Sequence, residues 1–427
     1  MVEPNPQKES AKGEGFNVQS ILQSIPKFQF PNMTGSIKNV TLRVVDPFIK
    51  EEMFIKHVVY KIQGNDSNGE VNIERRYSQF TALRNVLLER WPGIYIPPLP
   101  GKKLMGNTDP ANIEERRAAL EVFLNNCIEI PHLYLSEEFQ LFLRTQSPDV
   151  SKALEAMPKL SYDEIIEKYI RVYSHLSGIE LNNESVTKIT EFQLLLTKLV
   201  KMFENFKKIS KSMVSAKKAY YDNFVNFHQM LLVDYEKHCL SEYSANKDAC
   251  ILFNDQNNDK LFVRINKIRE ASIKDNYETL HQLIRQESRE IKAFLQAIEQ
   301  RDKYQLQKEK LTEKIKTDTK EMHKISEGKT TFKGLFTTKS KAQLVADTEK
   351  GISESKTGIE KLSMLHDMMT LIISNDEIAR FKGRKTEKYL QVIKLLSDSE
   401  KYISEEVARF WISVSQSDLL KQMPSAQ

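Results

Sequence analysis

The chain has 427 residues with 63 Lys and Arg against 58 Asp and Glu, a formal net charge of +5. That length exceeds one ordinary core, so two or three domains are expected. The small net charge argues against a wholesale nucleic-acid coat and leaves room for local basic patches. Cys127, Cys239 and Cys250 lie far apart with no CxxC spacing. They read as reduced thiols of a cytosolic protein, with neither a disulfide framework nor a zinc site.

The opening "MVEPNPQKES" has no apolar core, so no secretory signal is expected. No apolar run approaches the roughly 18 residues a spanning helix needs, so any membrane contact is expected to be peripheral. Residues 1–33 are rich in Pro, Gly, Lys, Glu and Ser, the composition of a disordered tail. "SIKNVTLRVV" and "FIKHVVYKIQG" are then dense in β-branched and aromatic residues, "GNDSNG" is a turn cluster, and "EVNIERRY" resumes the extended pattern. The pattern predicts a three-stranded antiparallel meander. Period-two alternation places Arg76 on the face of Asn72 and Glu74, opposite Ile73 and Arg75.

"SQFTALRNVLLERW" predicts a helix with Ser78 as N-cap and Phe80, Leu83, Leu87 and Trp91 on one face, stopped by Pro92-Gly93. "IPPLP" sets a rigid polyproline segment that ends near Lys102. "IEERRAALEVFLNNCIEI" and "SEEFQLFLRT" predict two further helices. A small sheet with three helices is an α+β domain. After Pro158, "YDEIIEKYIRVYSHL" puts Ile165, Ile166, Tyr169, Ile170, Tyr173 and Leu176 on one face. That helix either packs on a neighbour or lies on a membrane surface.

Every proline except Pro424 lies at or before Pro158, and no glycine falls between Gly178 and Gly328. Helices exclude the first residue and disfavour the second, so the remainder reads as long helices. From Val186, apolar residues step by threes and fours through Ile189, Phe192, Leu196, Phe203, Phe206, Ile209, Met213, Tyr220, Phe224, Phe227 and Leu231, a coiled-coil seam. Two further stripes run over 262–311 and 359–414. Three long antiparallel helices are the expectation. So thin a bundle predicts a dimer that covers the remaining apolar face. Between Val186 and Tyr220 stand eight lysines, among them Lys207, Lys208 and Lys211, against Glu191 and Glu204. Such an excess suits either a solvated helix face or an anionic leaflet.

Arg76 ends the third strand beside Tyr77, and a guanidinium is suited to two-point recognition of phosphate. Lys103, Leu104 and Met105 follow Lys102 and fit either a tucked loop or insertion at a lipid interface. "GKTTFKGLFTTKSK" contains no acid, and its Phe332 and Phe336 among lysines suit headgroup contact at the tip of the bundle. Its Gly328-Lys329-Thr330 is no phosphate loop, because His323 stands where the first glycine is required and a helix precedes it. Histidines are scattered, and no catalytic, metal or cofactor constellation emerges, so the chain is expected to be non-enzymatic and to take no cofactor.

The succession "RRYSQF", "IPPLPGK" and "IEERRAALEVFL" resembles the PX (phox homology) phosphoinositide-binding domain over about residues 34–146. That resemblance implies that Arg76 holds the 3-phosphate of phosphatidylinositol 3-phosphate and that Tyr77 packs on the inositol ring. It implies that Lys102 meets the 1-phosphate and that Arg116, with Arg117 as the competing register, bonds the 4- and 5-hydroxyls. The helical half, about 186–420, resembles the BAR domain that follows PX in one group of sorting nexins, through "EIARFKGRKTEKYLQVIKLL" and "VARFW". Residues 147–185 would be a linker with its amphipathic helix. The resemblance implies a PX-BAR sorting nexin: a homodimer, or a heterodimer with another sorting nexin, peripheral on early endosomes. It would bind anionic membrane and no nucleic acid, and it would sense or induce curvature during tubule-based recycling or retrieval. The alternative is a PX-anchored coiled-coil scaffold that tethers partners to endosomes and leaves membrane shape alone.

Overall fold

The computed structural model describes residues 40–52, 55–66, 69–101, 109–146, 150–240, 263–268, 270, 276–327, 340–416 and 418–421. The chain divides into two compact units, Met1–Thr197 with Arg289–Arg380 and Lys198–Ser288 with Phe381–Gln427.

The first unit opens with the expected meander, β1 (Thr41–Glu52), β2 (Ile55–Asp66) and β3 (Gly69–Arg76), antiparallel in the order β1-β2-β3. A bulge between Val45 and Phe48 breaks the β1–β2 register at Asp46, whose φ is 45°. Leu42, Val44, Tyr60, Ile62, Val71 and Ile73 are buried. Helix α1 (Tyr77–Arg90) covers them with Phe80, Leu83 and Leu87, all fully buried. Helix α2 (Pro110–Ile128), the single turn α3 (Pro131–Tyr134), α4 (Glu137–Arg144) and the short α5 (Val150–Glu155) complete the layer. Phe80 meets Phe142 of α4 at 5.0 Å and Phe123 of α2 at 6.4 Å, edge to face. The strand-to-helix boundary differs from expectation by two residues. Arg76 is the N-cap, and its N–H donates to Gln79 Oε1 at 2.8 Å, so the glutamine closes the first turn and Ser78 already lies inside it.

Helix α6 (Tyr162–Val172) carries the amphipathic face noted in the sequence, and a Ser161–Glu164 capping box starts it. Ile165, Ile166, Tyr169, Ile170 and Tyr173 are buried, so this face packs within the unit. Tyr169 stacks at 6.0 Å on Trp91, and its hydroxyl donates to Pro92 O at 2.5 Å. The Pro92-Gly93 turn that ends α1 also meets the long helices. Gly93 has φ +75°, and a Cβ there would stand 2.5 Å from Met369 Sδ.

Among the described residues the long helices form three runs, as expected. Helix α7 (Asn183–Gln229) continues as a π-helical segment, Met230–Leu240. Helix α8 spans Asn276–Ser326, with residues 263–268 also helical ahead of it. The third is α9 (Lys341–Ile372) and α10 (Ile378–Ser415), joined through the π turn Ile373–Glu377. In the first unit, Phe294 of α8 packs between Tyr95 at 5.9 Å and Phe192 of α7 at 5.2 Å. In the second, Tyr221, Phe224, Val225, Ile265, Ile268 and Phe410 form one buried cluster. Ion pairs Lys217–Glu400 at 2.8 Å and Lys385–Glu287 at 2.6 Å join helices of the same unit. No described helix is long and apolar enough to cross a membrane. The one-turn α11 (Asp418–Lys421) follows α10.

Candidate functional site

The site is built where β3 becomes α1. Alternation turns Val71, Ile73 and Arg75 inward and leaves Arg76 half-buried. Arg75 is 2 % exposed and acts as a clamp. Its Nε and Nη2 donate to Phe142 O at 3.0 and 2.6 Å, Nη2 also to Thr145 O at 2.5 Å, and Nη1 to Glu74 O at 2.9 Å. Burial lowers its pKa to about 10. The paired arginines therefore divide: the first holds the end of α4, and the second stands at the mouth of the helix.

Tyr77, the first residue of α1, donates its hydroxyl to Pro100 O at 2.5 Å. This bond ties the helix start to the end of the proline segment, two residues before Lys102. Thr81 Oγ1, one turn on, donates to Tyr77 O at 3.2 Å. From α2, the Arg116 guanidinium sits 4.8 Å from the centre of the Tyr77 ring, and the residue is 8 % exposed. Asp109 places that helix: its carboxylate accepts the Ala111 N–H at 2.9 Å, and Pro110 occupies the first turn. Arg117 turns away. It pairs with Glu114 at 2.7 Å and Glu121 at 3.1 Å and donates to Val44 O at 2.6 Å. Of the two registers open in the sequence, only Arg116 reaches Tyr77. Burial pushes the Tyr77 phenol up, while the Thr81 hydroxyl and the charges of Arg116, Arg289 and Arg84 pull it back. Burial likewise raises the Tyr60 phenol, which lies near Arg116.

Arg76, Tyr77 and Arg116 thus meet at one strand-to-helix junction. Lys102, Lys103, Leu104, Met105, Phe332 and Phe336 lie outside the described residues. Lys208 and Lys211 are exposed on α7, and Lys207 pairs with Glu204 at 2.7 Å. The sequence reading passed over Arg84, Arg289 and Lys292, which line a groove with Tyr77 and Pro98–Pro100. A signal was present in the 3.6-residue spacing of Tyr77, Thr81 and Arg84, but the partner face comes from a helix some 200 positions away.

Comparison with known proteins places this junction. A PX domain model matches residues 63–146. The vacuolar protein sorting-associated protein vps5 of Schizosaccharomyces pombe is 36 % identical over 114 residues, 25 % of this chain and 20 % of that protein. Human sorting nexin-7 is 27 % identical over 200 residues, 45 % of this chain and 51 % of that protein. The cryo-EM structure of the SNX-BAR Mvp1 tetramer superposes with a TM-score of 0.51 at 16 % identity, covering 88 % of this chain and all of the other. The chain therefore carries a PX domain and is similar to PX-BAR sorting nexins in sequence over part of its length and in fold over most of it. Its sheet and first helices are the PX domain, and its long helices are the BAR-like region. The chain spans a fifth of the length of vps5 and about half that of sorting nexin-7.

Proposed function

We propose that the chain captures phosphatidylinositol 3-phosphate at the β3–α1 junction and acts as a peripheral sorting nexin on early endosomes, in tubule-based recycling or retrieval. One observation carries this reading. Arg116 lies over the Tyr77 ring, Tyr77 is latched to the proline segment that leads to Lys102, and Arg76 is the adjacent helix N-cap. In this reading Arg76 bonds the 3-phosphate in bidentate fashion, Tyr77 packs on the ring, Lys102 meets the 1-phosphate, and Arg116 bonds the 4- and 5-hydroxyls. In this reading the PX domain covers 34–146, the linker 147–185 and the BAR region 186–420, and the tail expected over 1–33 lies outside the described residues. Lys103, Leu104, Met105, Lys207, Lys208, Lys211, Phe332 and Phe336 are the candidates for membrane contact.

Exposed apolar residues on α7 and α10, among them Phe206, Ile209, Phe227, Tyr389 and Trp411, support a dimer. The second copy is this chain or another sorting nexin. Two weak membrane contacts on one dimer reinforce each other through effective concentration. The scaffold alternative has one observation in its favour: Glu204 and Glu400 engage Lys207 and Lys217, which thins the basic stripe.

The test is flotation of the full chain with vesicles containing phosphatidylinositol 3-phosphate. Arg76→Ala abolishes binding and leaves the thermal unfolding transition in place, because the side chain is half-buried and Arg75 holds the fold. Retained binding overturns the headgroup assignment. Electron microscopy of the same vesicles separates the two modes of action: tubules support remodelling, and smooth vesicles coated with protein support the scaffold.

A further inference from the structure

Beside the Tyr77–Pro100 latch lies an open groove of about 310 Å³. Two helix faces and a proline floor form it. Tyr77, Thr81, Arg84 and Asn85 line it from α1, and Arg289, Lys292, Ala293 and Gln296 from α8, each set at the spacing of one helical stripe. Pro98, Leu99 and Pro100 make the floor. Neither Arg76 nor Arg116 is among the lining residues, so the groove is distinct from the headgroup junction and shares Tyr77 as a wall.

Its chemistry is one-sided. The lining holds the cations Arg84, Arg289 and Lys292, the carboxamides of Asn85 and Gln296 and the Thr81 hydroxyl, with no carboxylate among the described residues. Arg84 is fixed in place. Its Nε donates to Pro97 O at 2.9 Å and its Nη2 to Gln296 Oε1 at 3.0 Å, so the guanidinium spans the gap between α1 and α8. Lys292 is exposed on the opposite wall. A pre-positioned guanidinium facing an ammonium suits phosphate oxygens, and the amides and hydroxyl suit a polyol. The volume is at the lower end for small-molecule sites, which fits a headgroup-sized ligand.

We propose that this groove is a second anion site, taking a phosphorylated polyol, and that the BAR-like helix α8 supplies half of it. The ligand is a soluble inositol polyphosphate or the headgroup of an anionic phospholipid; the recognition chemistry is the same.

The test uses the full chain and two probes. Soluble inositol hexakisphosphate is titrated by calorimetry, and phosphatidylcholine vesicles with phosphatidic acid but no phosphoinositide are sedimented. The wild-type chain binds at least one probe. Lys292→Glu weakens that binding by on the order of tenfold to a hundredfold, the size expected for losing a charge-assisted hydrogen bond. Lys292→Arg restores it. Arg76→Ala leaves it within about twofold, since that residue does not line the groove. An effect confined to the soluble probe identifies a soluble ligand, and one confined to vesicles identifies a lipid. Absence of binding to both probes, or binding lost in Arg76→Ala and kept in Lys292→Glu, overturns the proposal. These outcomes are independent of phosphatidylinositol 3-phosphate capture, which Arg76→Ala tests on different vesicles.

Discussion

One hydrophobic stripe runs the length of α7, and its two ends meet different fates. Ile189, Phe192 and Leu196 near the start are 0, 5 and 1 % exposed, whereas Phe206, Ile209, Tyr220 and Phe227 further along are 40, 53, 55 and 60 % exposed. The spacing is the same; the neighbours are not. In the first unit Phe294 and Tyr95 close over the stripe. In the second unit Tyr221, Phe224 and Phe410 form a narrow core, and much of the seam is left at the surface. Periodicity therefore reports that a face is to be covered, and is silent on whether the cover is the same chain or another molecule.

The largest expected effect breaks this contrast directly. Phe294 is 0 % exposed, so Phe294→Ala removes a ring between two others and costs about 3–5 kcal/mol in the unfolding free energy. Phe227→Ser at the exposed end is worth roughly 0.5 kcal/mol or less to the isolated chain. Its effect appears instead as dissociation of a dimer in a solution mass measurement. If Phe227→Ser lowers stability of the monomer as Phe294→Ala does, the exposed seam is closed by its own chain and the dimer argument falls.

Those two residues also mark what was legible beforehand. The meander, the α1 face of Phe80, Leu83, Leu87 and Trp91, and the three long helices follow from local period and from the positions of proline and glycine. The nearness of Arg116 to Tyr77 follows from a motif of fixed order. Three features were not legible. The buried clamp of Arg75 depends on carbonyls at Phe142 and Thr145, some 70 positions away. The burial of α6 depends on Trp91 and Pro92, and its amphipathic face alone left packing and membrane contact equally open. The start of α1 at Tyr77 depends on a glutamine side chain acting as the cap acceptor, a role that Ser78 appeared to fill.

A second comparison sets one lysine against others. Lys208 and Lys211 of α7 are exposed, whereas Lys168 of α6 has its ammonium 3.6 Å from the centre of the Trp91 ring, 3.1 Å from Arg90 O and 3.6 Å from Glu138. Burial lowers its pKa from 10.5 to about 8, with Glu138 opposing the shift. The unfolded chain then binds more protons between those values, so this group makes stability rise with pH across that window. The difference is about 3 kcal/mol at full titration, since one pKa unit is about 1.4 kcal/mol. Lys168→Met removes this slope. The gap between wild type and variant should therefore change by about that amount in denaturant titrations from pH 8 to pH 10.5. A constant gap shows that the ammonium is solvated as its α7 counterparts are.

The packing around Trp91 is tested from the acid side by a histidine. His132 is 5 % exposed, with its ring 4.9 Å from that of Trp91 and its Nε2 3.2 Å from the Tyr173 hydroxyl. Burial, with Arg380 and Lys168 adding to it, holds its pKa well below 6.5. A histidine kept neutral in the folded chain contributes stability that is complete above pH 6.5 and is lost as pH falls below that value, because the unfolded chain takes up the proton first. The loss is about 1.4 kcal/mol per pH unit for one proton. As pH falls below 6.5, before most carboxylates titrate, the wild-type chain should therefore lose stability that His132→Phe keeps. The phenylalanine retains the ring contact with Trp91 and gives up only the bond to Tyr173, so its stability at neutral pH serves as the reference. Equal acid slopes in the two proteins would mean that the imidazole becomes protonated in place, and that α6 is held to the PX domain less tightly than its buried face implies.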